Sequence, residues 1–134
     1  MLENFQELAQ ATGKTTTEIA NMATMFYQQG KNTTDVLKLT EAAAKAATIA
    51  GIDGSRSIDL LTNALNGFQM SANDAMEVSD KFAALAASAA TNYEELAVAL
   101  SKVASQANMA GMSMDFTLGM LTNGLEVTRR HIAA

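Results

Sequence analysis

A single histidine, His131, stands among 14 acidic and 9 basic residues in a chain of 134 with no cysteine. A zinc site needs at least three protein ligands. His131 has no second imidazole and no thiolate to share a metal with, and beside Arg129 and Arg130 it reads as a solvated residue past the last well-marked helix. Two short runs imitate phosphate loops. Gly13-Lys14-Thr15 has the closing residues of such a loop, but the motif requires a glycine where Leu8 stands and a strand before it. Gly30-Lys31-Asn32 fails in the same way, with Met25 at the glycine position. Both read as helix boundaries. Asp53-Gly54-Ser55 opens like a calcium loop and continues with Ser57 and Asp59, yet the later glutamate ligand is missing, so Asp53 reads as a turn or cap residue. Glu94 and Glu95 could form an acid pair, but they fall in an expected first helical turn, where negative charge complements the helix dipole. Asp80-Lys81 reads as surface charge. Nucleophile, base and orienting group never come together, so no catalytic, cofactor-binding or metal-ligating residue is assigned and no enzyme is expected.

The elements that would have to hold such residues are all helical. Proline is absent, aromatics make up 5% of the chain, and alanine, leucine and methionine, all good helix formers, abound. Thr15-Thr16-Thr17-Glu18 has capping-box spacing and Gly30 follows as a stop, which predicts a helix over about 16 to 29. Thr33 or Thr34 opens the next, which carries Val36, Thr40, Ala43, Ala44 and Ala47 to Gly51. Asp53 or Ser55 starts a third with Ile58, Leu61, Leu65 and Phe68 at the spacing of a buried stripe, ending between Gly67 and Met70. Ser71-Ala72-Asn73-Asp74 caps a fourth, with Ala75, Val78, Phe82, Leu85 and Ala86 on one face. Asn92 caps a fifth with Leu96, Leu100, Val103 and Ala107 before Gly111, and Ser113 caps a sixth with Phe116, Met120 or Leu121, and Leu125 inward. Leu2 to Thr12 forms a further candidate, broken at Gly13. The methionines read as adaptable core filler.

The chain also repeats itself. Shifted by 60 residues, Asn32 to Leu65 lies over Asn92 to Leu125 without a gap, so that Ala44, Ala47, Gly51, Leu61, Thr62, Asn63 and Leu65 meet Ala104, Ala107, Gly111, Leu121, Thr122, Asn123 and Leu125. Such self-similarity marks a unit that must stack on a related copy to bury its apolar face. The expected architecture is therefore all-α, one domain over 1–134. It is a compact bundle of six to seven short helices with a helix-turn-helix pair used twice, at about 32–65 and 92–125, and a connector helix at about 72–90. Alanine on the first helix of each pair lets axes approach closely. Gly119 and Gly124 point to a last helix that is either crossed closely by another segment or marginal.

A net charge of -5 argues against a phosphate-binding surface, which needs clustered Lys and Arg, so no direct nucleic-acid contact is expected. The apolar run Phe82 to Ala90 is far short of the ~20 residues that cross a bilayer, so no membrane contact by this segment is expected. Scaffolding is a better expectation than catalysis, with a helical adaptor that binds a partner helix as the alternative.

From about Thr12 to Arg129 the order of elements resembles the core region of TP901-type phage tail tape measure proteins. The phrases that carry it include Ala50-Gly51-Ile52-Asp53 leading into Leu60-Leu61-Thr62-Asn63-Ala64-Leu65, and Phe68-Gln69-Met70-Ser71. They continue with Val78-Ser79-Asp80-Lys81-Phe82, Asn92-Tyr93-Glu94-Glu95-Leu96-Ala97 and Val103-Ala104-Ser105-Gln106-Ala107. The resemblance implies a virion structural protein inside the tail tube, made in the bacterial cytoplasm, that sets tail length during assembly and leaves when the genome is ejected. It implies tail assembly chaperones, the tube protein and tail-tip proteins as partners, with self-association a further expectation. Members of that family are much longer, so this sequence is expected to be a domain excised from a longer chain.

Overall fold

A computed structural model of the chain describes residues 2–88 and 93–133, with side chains at 3–84 and 94–124. Seven α-helices are found among the described residues and no strand. They are α1 (Leu2–Thr12), α2 (Thr16–Gln28), α3 (Thr33–Ala50), α4 (Gly54–Gly67), α5 (Ala75–Ser88), α6 (Tyr93–Met109) and α7 (Met114–Ala133), with a 3-10 turn at Ala72–Asp74 before α5. The expected all-α bundle is what forms.

Local hydrogen bonding explains the boundaries. Thr15 and Glu18 make a full capping box: Glu18 N–H donates to Thr15 Oγ1 and Thr15 N–H to Glu18 Oε2, both at 3.1 Å. At α3 the cap is Asn32 instead of Thr33 or Thr34, since its side-chain oxygen accepts the Asp35 N–H at 2.9 Å. Asp53 occupies the cap position of α4 without a side-chain bond, whereas Ser113 Oγ accepts the Phe116 N–H at 3.1 Å at the start of α7. Before α5, the Asp74 carboxylate accepts from both the backbone N–H and the hydroxyl of Ser71. The expected cap Asn92 lies outside the described residues.

Helix ends share one device. The N–H of Lys14, Lys31, Ile52, Met70 and Met112 each donates to the carbonyl five residues earlier, closing α1, α2, α3, α4 and α6. Such a turn places the preceding residue at positive φ. Gly51 and Gly111, 60 residues apart, hold it at 68° and 78°, but at the end of α4 the position is filled by Gln69 at 56°. A side chain in the left-handed region costs ~1–2 kcal/mol, part of which glycine would return as unfolded-state entropy. Gln69→Gly is therefore expected to stabilise the fold by about 0.5 kcal/mol, read from the urea midpoint.

The core is built around α3, which packs against α1, α2, α4, α5 and α6. Val36, Thr40, Ala42, Ala43, Ala44, Ala46 and Ala47 are all fully buried, leaving Lys38, Glu41 and Lys45 on its solvent edge. The expected α4 stripe of Ile58, Leu61, Leu65 and Phe68 is buried too. Thr40 Oγ1 has no hydrogen-bond partner there. The equivalent position 60 residues on is Leu100, also fully buried. An unpaired buried hydroxyl costs about 1–3 kcal/mol, and valine matches threonine in shape. Thr40→Val should raise the unfolding free energy by about 1 kcal/mol, measured by urea or thermal unfolding.

Two expectations about packing are corrected. Phe116 does not face inward on α7, and of Met120 or Leu121 it is Leu121 that packs against the core: Phe116 and Met120 are 59% and 50% exposed, and Met114, Thr117, Leu118 and Thr122 are buried. The core accepts the two threonines because their hydroxyls donate to carbonyls of their own helix, Thr117 to Ser113 at 2.8 Å and Thr122 to Leu118 at 2.7 Å. Leu85, Ala86 and Leu125 have side chains outside the described residues, and Val103 is only half-buried, with Ala104 fully inward. The glycines are also reassigned. A Cβ added at Gly119 or Gly124 meets nothing within 4 Å among the described residues. The close approach is between α4 and α6, where a Cβ on Gly67 would lie 2.4 Å from the Ala104 Cβ. Gly119→Ala is expected to stabilise the chain by about 0.5–1 kcal/mol, since it removes glycine's backbone entropy in an open helix interior; calorimetry would read this as a higher Tm.

Candidate functional site

The residues that sequence reasoning considered and set aside are dispersed. Gly13 (φ 75°) and Gly30 (φ 84°) end α1 and α2, and the lysine after each lends only its backbone N–H to the turn. Asp53 lines a surface cleft between α2 and the start of α4 with Lys14, Glu18, Met22 and Gly54. Glu18 there is engaged in the capping box at the start of α2. Glu94 lies in the first turn of α6 and pairs with Arg56 at 3.4 Å across to α4. Among the described residues no three His, Cys, Asp or Glu side chains converge to hold a metal ion, and no helix is long and apolar enough to cross a membrane. His131, Arg129 and Arg130 have side chains outside the described residues.

Lys81 does more than decorate a surface. It reaches Asp115 on α7 at 2.9 Å and Glu77 one turn back on α5 at 3.4 Å. The hydrogen bond to the Asp115 carboxylate holds its pKa above the usual 10.5, against the opposing effect of burial. A raised lysine pKa adds stability that is present below pH 10.5 and is lost as pH climbs through the raised value. For a pair this exposed the contribution is at most ~1 kcal/mol. Its effect is positional: it sets α5 against the first turn of α7.

One surface feature is chiefly apolar. A groove of about 280 Å³ runs between α6 and α7, lined by Val103, Ala107, Met112, Thr117, Met120 and Leu121. Beside it Phe116 and Met120 project from α7 at one-turn spacing, and Met109 at the end of α6 is 84% exposed. Such a surface can take a helix or another apolar face, and it carries no group for bond-making chemistry. Sequence reasoning missed it because it assigned Phe116, and Met120 or Leu121, to the core.

A family model of phage-related minor tail proteins matches residues 3–130, nearly the whole chain. The chain belongs to this family. As a phage-related minor tail protein it is a structural component of the phage tail, and hence of the virion. No solved structure matches it. Of the paired motifs Thr62-Asn63 and Thr122-Asn123, Thr122 bonds within its own helix, Thr62 is half-buried, and both asparagines are exposed.

Proposed function

We propose that this domain is a folded helical station within a tape measure protein of the TP901 type, a chain that sets tail length during assembly and is released when the genome is ejected. The observation that carries this reading is the family match over residues 3–130, joined to the order of sequence phrases from Thr12 to Arg129 that resembles the tape measure core. The domain acts inside the tail tube and is not catalytic. Its partners are tail assembly chaperones, the tube protein and tail-tip proteins, and the stacked repeat of 60 residues supplies faces for docking. The net charge of -5 suits a lumen that DNA later traverses, because like charge repels phosphate.

The test is tail length by electron microscopy in phage whose parent gene carries an in-frame deletion in helical sequence outside this domain. Shortening by ~1.5 Å per helical residue removed is expected, the rise of an α-helix. Tails of unchanged length would overturn the proposal and favour an adaptor that binds a partner helix through the α6–α7 groove.

A further inference from the structure

We propose that Asn123 is a site of spontaneous covalent modification, where the side chain cyclises onto the main-chain nitrogen of Gly124 and reopens as aspartate or isoaspartate, while the same dipeptide at Asn66-Gly67 is kept inert by the fold. The Gly124 nitrogen attacks the side-chain carbonyl carbon of Asn123 and a C–N bond forms. The side-chain amide nitrogen leaves as ammonia, taking up the proton that the glycine nitrogen gives away, and water opens the five-membered imide at either carbonyl. Water is the sole co-reactant. Asparagine followed by glycine is the pair most open to this reaction, because glycine has no Cβ to crowd the attack. The chain contains it twice, as Leu65-Asn66-Gly67-Phe68 and as Thr122-Asn123-Gly124-Leu125.

Both pairs lie in helices, one at the end of α4 and the other inside α7, and both asparagines are exposed. A helix suppresses the attack, since it holds the asparagine away from the dihedral angles that the ring needs and engages the backbone N–H groups. What separates the two sites is therefore the cost of opening each helix locally. Opening at Asn66 is costly. Ala64, Leu65 and Phe68 around it are buried, α4 packs against α2, α3, α5 and α6, and Gly67 lies at the crossing, where a Cβ would be 2.4 Å from the Ala104 Cβ. Among the described residues α7 packs chiefly on α6. It also carries Gly119 and Gly124 in its interior, where an added Cβ would meet nothing within 4 Å, so the helix is weakened with no gain in packing. The internal repeat adds a third comparison: the counterpart of Asn123 is Asn63, which is followed by the fully buried Ala64 in place of glycine. Isoaspartate lengthens the main chain by one carbon, so conversion at Asn123 takes the rest of α7 out of helical register.

The experiment is peptide mapping by mass spectrometry of the intact chain, aged at mildly alkaline pH both folded and in urea. In urea, where no helix shields either pair, Asn66 and Asn123 should convert at rates within about threefold of each other. In the folded chain Asn123 should convert about tenfold faster than Asn66 or more, with Asn63 unchanged. Gly119→Ala leaves the dipeptide intact and strengthens the helix, so it should slow Asn123 about two- to fivefold in the folded chain and not at all in urea. The proposal is overturned if the two sites convert equally in the folded chain, or if neither converts there while both do in urea. It is equally overturned if Gly119→Ala leaves the folded rate at Asn123 unchanged, which would mean that opening of α7 does not control the reaction.

Discussion

Gly67→Val should cost about 3 kcal/mol of unfolding free energy, read as a fall in the urea midpoint at unchanged slope. The position is the last residue of α4, where it meets α6. A Cβ there would lie 2.4 Å from the Ala104 Cβ and 3.2 Å from the Ala104 carbonyl carbon and the Ser105 nitrogen. Two of those three atoms are backbone, so no rotamer change relieves the clash and the helix axes must separate. Separation loosens the buried Leu60 and Ala64 of α4 and the facing Leu100 and Ala104 of α6. Even Gly67→Ala should destabilise, by ~1–2 kcal/mol, although alanine is the better helix former by about 0.5–1 kcal/mol. The crossing itself is tested by the background of Ala104→Gly, in which Gly67→Ala should cost at least ~1 kcal/mol less than in the parent chain. Equal costs in both backgrounds would mean that the two residues do not touch. Gly119→Ala, made in an open helix, serves as the control of opposite sign.

The contrast between these glycines shows where sequence reading stops. Gly67 ends α4 as its position suggests but is also the site of close approach, which Gly119 and Gly124, inside α7, are not. Glycine serves either purpose, and only a neighbouring helix decides which. Features closed within a single turn were legible: the Thr15–Glu18 box, the left-handed Gly51 and Gly111, the Ser71–Asp74 cap and the phase of α4. Gln69 in the left-handed region was not, because its residue type carries no cue for that conformation. The phase of α7 was misread for a related reason. Phe116, and Met120 or Leu121, were expected to seek the core, but threonines that satisfy their hydroxyls within the helix can be buried at little cost. The groove followed the same fate, since its exposure depends on what lies across it and no local pattern records that. Function was legible only as resemblance, because an apolar helical surface has no motif of its own.

Phe82→Ala should lower stability by about 3–5 kcal/mol, the usual cost of emptying a fully buried aromatic site. Phe82 has no exposed surface and sits on α5, the helix that the sequence suggested was a mere connector. The packing says otherwise: α5 lies against α3 in the first helix pair and α6 in the second, with Lys45 reaching Asp80 and Lys81 reaching Asp115 across to α7. Its ion pairs are exposed and together are worth little, so the buried Ala75, Val78 and Phe82 must supply most of the cohesion. Against a typical total of ~5–15 kcal/mol, losing Phe82 removes a large share and should lower Tm by roughly 10–20 °C. Lys81→Met, which cuts the tie between α5 and α7 but leaves the core full, should shift Tm by no more than about 4 °C. If the two substitutions proved equal, α5 would be held by its charges and the helix pairs joined only at the α4–α6 crossing. The expected order, Phe82→Ala far above Lys81→Met, makes α5 the shared wall of a single cooperative unit.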